Sequence, residues 1–229
     1  MRSRPASEHG LGAAVAAPLD LAVVAFENAE VLDEQIALLR ERLADEHQYL
    51  VFDNSASDGG LRRIAALCEA RGVPYLGLPP NPYSGRDPSA SHGLALNWAW
   101  RQVLRDRASA CFGVLDPDVF PERETSILSA LGDAPCWGHL QERGERWYLW
   151  AGFAFFRRAS TPGLDFMPGD GLDTGGGNWR LVFRHLDREA LSFPPHSYVD
   201  PGAPPGHSPE RIGDWLHTFN SSDWRAPAS

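Results

Sequence analysis

Residues 19–80 alternate between two hydrophobic periods, and that alternation leaves few folds open. The run 19–26 (LDLAVVAF) is apolar nearly throughout and of strand length, as a strand buried on both faces must be. Over 29–44 the period lengthens: Leu32, Ile36, Leu39 and Leu43 fall on one helical stripe, with arginines and acids elsewhere. A second strand, 48–52 (QYLVF), runs into the turn and cap formers Asp53, Asn54 and Ser55. A second helix, 59–70, ends at Gly72, and a short third strand spans 73–78. The order strand–helix–strand–helix–strand requires right-handed crossovers and a parallel sheet, so the expected class is α/β.

The remainder is looser. The stretch 79–88 (PPNPYSGRDP) cannot be helix or central strand and reads as a functional loop or lid. A helix is expected over 89–105, a strand over 110–115, and a short helix over 122–131. Two strands, 136–141 and 146–156, read as an antiparallel pair. Beyond them the spacing predicts loop over 160–173, helix over 178–185, coil over 194–209, and a short helix or turn over 210–217. Most of the 19 prolines and 22 glycines follow Pro79, which marks a loop-rich second half. Residues 1–18 read as a disordered leader and 19–229 as one domain.

Composition removes several chemistries. All 21 basic residues are arginine. Without lysine there is no Schiff-base enzyme, no phosphate-loop lysine and no kinase strand lysine. The net charge of −9 argues against a general nucleic-acid partner, because phosphate-backbone affinity comes from clustered cations. The longest strongly apolar run, 147–156, is half the roughly 20 residues that span a bilayer, so no transmembrane segment is expected. Cys68, Cys111 and Cys136 are odd in number and widely spaced, as buried reduced thiols of a cytoplasmic protein are.

The strongest chemical signal is Asp116-Pro117-Asp118 directly after a strand. Residues i and i+2 of an extended chain point the same way, so both carboxylates can face one ligand. Pro117 places the motif at a strand end, and the carboxyl ends of strands in an open α/β sheet are where ligands bind. Magnesium- and manganese-type sites use such hard oxygen donors. A solvated acidic turn is the other reading of the same three residues.

With these residues in order, the chain resembles the nucleotide-sugar glycosyltransferases of the GT-A fold, and family 2 among them. Residues 21–28 (LAVVAFEN) are similar to the family's opening strand and its polar nucleotide-binding end. Residues 52–60 (FDNSASDGG) are close to its "VDNSSTDGS" segment. His92-Gly93 with Asn97 stands where the family has a helix start after the third strand. Asp116-Pro117-Asp118 resembles the metal-binding D-x-D, and 150–158 (WAGFAFFRR) the later glycine-bearing strand that ends in arginine. The likeness covers residues 20 to 180, with a weaker tail.

The resemblance implies a mainly parallel sheet flanked by helices, with an antiparallel edge and a loop-rich C-terminal region. It implies a nucleotide-binding half over 19–120 and an acceptor half over 121–229. The partners would be a nucleotide diphosphate sugar, a UDP-sugar first, and a hydroxyl-bearing acceptor. The cofactor would be a divalent metal, manganese or magnesium, and the transfer would invert. The location would be cytoplasmic or peripheral to a membrane. Asp53 would accept from the N–H of a uracil-type base, with Phe26, Glu27 and Asn28 lining the base and ribose pocket. His92, Gly93, Asn97 and Gly152 would lie along the nucleotide sugar. Asp116 would contact ribose or metal, Asp118 the metal, and His217 would complete the metal's ligands. Asp173 would be the base that deprotonates the acceptor, although Asp-Thr before glycines is also ordinary helix-cap chemistry. The chain departs from the family here, with Leu172 where a second acid stands. Arg86, Arg157 and Arg158 are candidates to reach a diphosphate, and Trp150, Trp179, Trp215 and Trp224 to stack on sugar or to fill the core. Two alternatives stay open. One is a degenerate binding or scaffold module of the same fold. The other is a sugar-nucleotide pyrophosphorylase, disfavoured because Phe26-Glu27-Asn28-Ala29 stands in place of a Gly-rich signature.

Overall fold

A computed structural model of the chain describes residues 18–161, 163–169, 171–203 and 208–218. The leader reading therefore lies, except for Pro18, outside the described residues, and so does Trp224. The opening alternation folds as expected: β1 (Leu19–Ala25), α1 (Ala29–Arg42), β2 (His47–Asp53), α2 (Asp58–Arg71) and β3 (Tyr75–Gly77). Each of these two helices starts on a side-chain cap. The Asn28 side chain accepts from the N–H groups of Glu30 and Val31, and Ser57 accepts from that of Gly60. Gly72, at φ 62°, ends α2 in the left-handed conformation that glycine adopts without strain. Asp87 and Pro88 open α3 (Pro88–Gln102), which leads to β4 (Cys111–Leu115).

The central sheet runs β3-β2-β1-β4 in parallel. It continues antiparallel through β7 (Arg146–Arg157) and β6 (Cys136–Arg143). This is the expected α/β class: a mainly parallel sheet flanked by helices, with an antiparallel edge. One face packs against α3 through Trp100, Phe112 and Phe156, and the other against α1 and α2 through Leu32, Ile36 and Ile64. All three cysteines are buried and unbridged. Among the described residues no helix is long and apolar enough to cross a membrane.

The C-terminal half departs from the sequence reading. Instead of a helix over 122–131, the chain forms β5 (Val119–Pro121) straight after the acidic turn, and only α4 (Ile127–Leu131) is helical. The expected helix over 178–185 is one short turn, α5 (Asn178–Leu181), followed by a 3-10 turn. The expected coil over 194–209 contains β8 (His196–Tyr198). Residues 210–217 are a hairpin of β9 (Glu210–Ile212) and β10 (Trp215–His217). Their loop is Gly213-Asp214, with Gly213 at φ 60°, the two-residue connection that hairpins favour. Alternation confirms the strand period: Glu210, Ile212, Trp215 and His217 are buried while Arg211 is exposed. These strands form a second, antiparallel sheet in the order β5-β10-β9-β8, which packs on the first through Trp215 against Phe153 and His196 against His139.

Candidate functional site

The carboxyl ends of β1, β2 and β4 meet at one edge of the sheet. At the end of β1, Phe26 is half-buried and Glu27 has φ 57°, a left-handed conformation that costs a side-chain-bearing residue about 1–2 kcal/mol. Local bonds hold it there. The Glu27 N–H donates to Ser55 Oγ (2.8 Å), and its carboxylate accepts from the Ser57 N–H (2.7 Å) and hydroxyl (2.6 Å). Gly60 makes room, since a Cβ there would lie 2.2 Å from Glu27 Oε2. Burial pushes the Glu27 carboxyl up, but the Ser57 and Ala56 hydrogen bonds and the Arg63 charge outweigh it and hold it below its ordinary range. At the end of β2, Asp53 is fully buried and accepts from the Ser55 N–H (2.9 Å) and the Tyr75 hydroxyl (3.1 Å). Burial raises its carboxyl against those bonds.

The Asp116-Pro117-Asp118 segment is a turn, not an extended chain: the Val119 N–H donates to the Asp116 carbonyl at 3.2 Å. The i, i+2 argument thus does not apply; each acid lies beside a histidine, and the charges of both reach His217. Asp116 Oδ1 lies 3.3 Å from His92 Nε2. Asp118 Oδ1 lies 3.6 Å from His217 Nε2, and both of these residues are about 95% buried. The turn is held from three sides. Asp116 N–H donates to the Gly152 carbonyl (2.9 Å), and Thr218 N–H donates to the Asp118 carbonyl (3.0 Å). From α1, the buried Gln35 amide donates to the carbonyls of Asp116 (2.6 Å) and Val119 (2.7 Å) while its own oxygen accepts from Tyr49 (2.5 Å).

His217 sits in a buried polar cluster. Its Nδ1 pairs with Glu210 Oε1 at 2.8 Å, and the other oxygen of Glu210 pairs with His196 Nε2 at 2.5 Å. His139, from β6, stacks on His196 at 4.7 Å, and Trp150 lies over His217 at 4.6 Å. Gly152 permits this, because a Cβ there would strike the Trp150 ring at 2.2 Å. Burial pushes His217 down, but the Glu210 bond and the charges of Asp118 and Asp116 outweigh it and raise it above its ordinary value. Burial pushes Glu210 up, yet its histidine partners hold it low. His139 has weaker compensation, and burial pushes it down to about 4.

The first turn of α3 joins a second pair of expected residues. Asp173 is exposed, and its Oδ1 accepts from the Ser89 hydroxyl and from the Thr174 N–H (2.7 Å). Ser89 and His92 are three residues apart and so neighbours on one helix face. Asp173 and Asp116 therefore bear on the same helix start. Gly93 and Asn97 face the 165–167 segment. A Cβ on Gly93 would lie 2.6 Å from the Phe166 carbonyl. Asn97 donates to Asp165 Oδ1 (2.7 Å) and accepts from the Phe166 N–H (2.8 Å). Gly93→Ala is expected to cost about 1–3 kcal/mol through overpacking against backbone. A scanned Tm without nucleotide checks this, at roughly 2–4 °C for each kcal/mol in a chain of this length; an unchanged Tm would leave Gly93 with no packing role.

Other expectations move. Arg157 pairs in register with Cys111, at the end of the sheet opposite Asp116. Arg158 there donates to the Ser109 carbonyl (2.7 Å) and lies 3.2 Å from Asp20, so neither arginine reaches the acidic turn. Arg86 is exposed before α3, Trp215 is core, and Trp179 packs at the core's margin. Sequence reasoning missed Gln35, His139, His196 and Glu210. Gln35 carried a signal, a polar residue three positions after Leu32 in an apolar stripe. Glu210 carried another, the Gly213-Asp214 hairpin that aligns it with His217.

No family model matches the chain, and no curated protein matches it. Among solved structures, similar chains include the mannosyltransferase PcManGT from Pyrobaculum calidifontis in complex with GDP-Man and Mn2+, at 16% identity and TM-score 0.45, covering 63% of this chain and 45% of that one. The galactosyltransferase LgtC in complex with donor and acceptor sugar analogs is 18% identical with TM-score 0.40, covering 61% and 58%. TarS of S. aureus is 16% identical with TM-score 0.43, covering 70% and 32%. The match thus spans less than two thirds of each of these chains.

Proposed function

We propose that the chain is a metal-dependent glycosyltransferase of the GT-A type, similar to family 2. It would move a sugar from a nucleotide diphosphate sugar, a UDP-sugar first, to an acceptor hydroxyl with inversion. One observation carries the reading: the Asp116–Asp118 turn at the carboxyl end of β4, with buried Asp118 facing the buried imidazole of His217 at 3.6 Å. Carboxylate oxygens with one imidazole suit manganese, and less well magnesium. Two buried carboxylates, Asp118 and Glu210, share the His217 imidazole, and a divalent ion fits that excess of negative charge.

Asp116, Asp118 and His217 would hold the ion. Bound there, it would neutralise the leaving diphosphate as the glycosidic bond breaks. Glu210 fixes His217 by accepting at Nδ1, which leaves Nε2 turned toward Asp118. Asp173 would take the acceptor proton, and the Ser89 and Thr174 donors hold its carboxylate in place. Phe26 and Glu27 would border the base, and His92, paired with Asp116, the phosphates.

A second reading is a nucleotide-binding module without turnover. It is favoured by Leu172 in place of a second acid and by the donors already on Asp173 Oδ1. UDP release from a panel of UDP-sugars, with and without Mn2+, separates the two. The first reading expects Mn2+-dependent release with one sugar, and a Tm raised by UDP plus Mn2+. A raised Tm without release from any sugar would favour the module. No Tm shift with any nucleotide would remove both.

A further inference from the structure

We infer that His139, His196 and Glu210 form a zinc-binding site separate from the Asp116–Asp118–His217 set. One nitrogen of each histidine and one oxygen of Glu210 lie within 4.8 Å of one another. They come from three strands, β6, β8 and β9, so sheet packing, not chain proximity, assembles them. Ligand atoms on a tetrahedral ion stand about 3.3 Å apart, so closing the set needs the ligand atoms to approach by at most about 1.5 Å and the stacked His139 and His196 rings to rotate until both nitrogen lone pairs face the ion.

A second observation points to a missing ligand. His139 is 4% exposed, and its Nδ1 has no hydrogen-bond partner among the described residues. The nearest acid atom, Glu210 Oε1, is 4.0 Å away, beyond hydrogen-bond reach. A buried polar atom without a partner is costly, and a native structure ordinarily supplies one. A cation between Glu210 and the stacked His139 and His196 rings would use that nitrogen directly.

The donor chemistry selects the ion. Two imidazoles and one carboxylate suit zinc, which accepts nitrogen and oxygen at four-coordinate sites. Magnesium and calcium prefer all-oxygen sets. In the metal-free protein a proton lies between His196 Nε2 and Glu210 Oε2. Binding the ion at Nε2 moves the imidazole proton to Nδ1 by a change of tautomer, and metal–nitrogen and metal–oxygen bonds replace the hydrogen bond. His196 is the exposed member, with about a third of its side chain open to solvent, and so provides the entry path. The ion would tie the hairpin that carries His217 to β6 and β8.

The inference does not depend on the glycosyltransferase reading, and its test uses no turnover. The full chain is dialysed against Zn2+ and its metal content measured, and Co2+ is titrated in parallel with visible d–d absorption as the readout. In an Asp118→Asn background, which disables the acidic-turn set, one Zn2+ per chain is expected, with the strong Co2+ bands of a four-coordinate site. His196→Ala should weaken binding at least tenfold, and His139→Ala with His196→Ala should abolish it. His196→Ala lies on an exposed strand, and an unchanged Tm in chelator shows that it folds. Asp118→Asn should keep the zinc. No Zn2+ bound in Asp118→Asn, or binding in that background that survives the double substitution, would overturn the site. Binding lost in Asp118→Asn but kept in His196→Ala would also overturn it, by placing the ion at the acidic turn.

Discussion

Asp118→Asn is expected to abolish the rise in Tm caused by UDP plus Mn2+ and to lower UDP release about 10²–10³-fold. The size follows from what the carboxylate does on the proposed reading. Charge stabilisation of a leaving diphosphate by a metal supplies several kcal/mol, and each 1.36 kcal/mol is tenfold in rate. The chain has no lysine to take over, and Arg157 and Arg158 are engaged at the other end of the sheet. Asparagine keeps the shape of the side chain, so the fold should persist. Asp116→Asn should do less, since Asp116 is only partly buried and already lies 3.3 Å from His92. Differential scanning fluorimetry with and without Mn2+, beside a UDP-release assay, measures both effects. An Asp118→Asn protein that kept the metal-dependent shift would sink the assignment.

The parts of this site that the sequence exposes are those carried by local pattern. The periods of 19–80 and the strand before Asp116 act within a few residues, and the folded chain keeps them. The clustering of the acidic turn with His217 rests on strand pairing a hundred residues apart, which no window reveals: β10 pairs with β5, and Thr218 reaches the Asp118 carbonyl. The short helix or turn expected over 210–217 is a hairpin, because so short a segment reads equally well as helix or strand and the Gly213-Asp214 turn decides it. His139 was invisible for a different reason. It lies on an ordinary strand, and only the sheet order brings it to His196 and Glu210. Asp173 does not cap the helix that follows: α5 starts at Gly177 without a side-chain cap, and Asp173 accepts instead from the Thr174 N–H and the Ser89 hydroxyl.

Gln35→Leu tests whether the acidic turn is held from below. The side chain is fully buried in α1 and makes three hydrogen bonds, two donated to the Asp116 and Val119 carbonyls and one accepted from Tyr49. Leucine is of similar size and belongs to the same apolar stripe, so packing is nearly conserved while the Val119 carbonyl and the Tyr49 hydroxyl are stranded and the Asp116 carbonyl keeps only the Val119 N–H. Each stranded buried group costs about 1–3 kcal/mol, and a total of roughly 3–5 kcal/mol is expected. That is a large part of the 5–15 kcal/mol that typically holds a native chain. The urea midpoint should fall with an unchanged slope, since the surface exposed on unfolding is the same. The loss should also reach the ligand: with the Asp116 and Val119 carbonyls released, the turn loses its link to α1, and UDP plus Mn2+ should raise Tm less than in the parent. Gly152 and Thr218 still hold the turn from its other sides, so the shift should shrink and not vanish, in contrast to Asp118→Asn. A wild-type midpoint with a full shift would mean that those two contacts suffice and that Gln35 contributes neither stability nor placement.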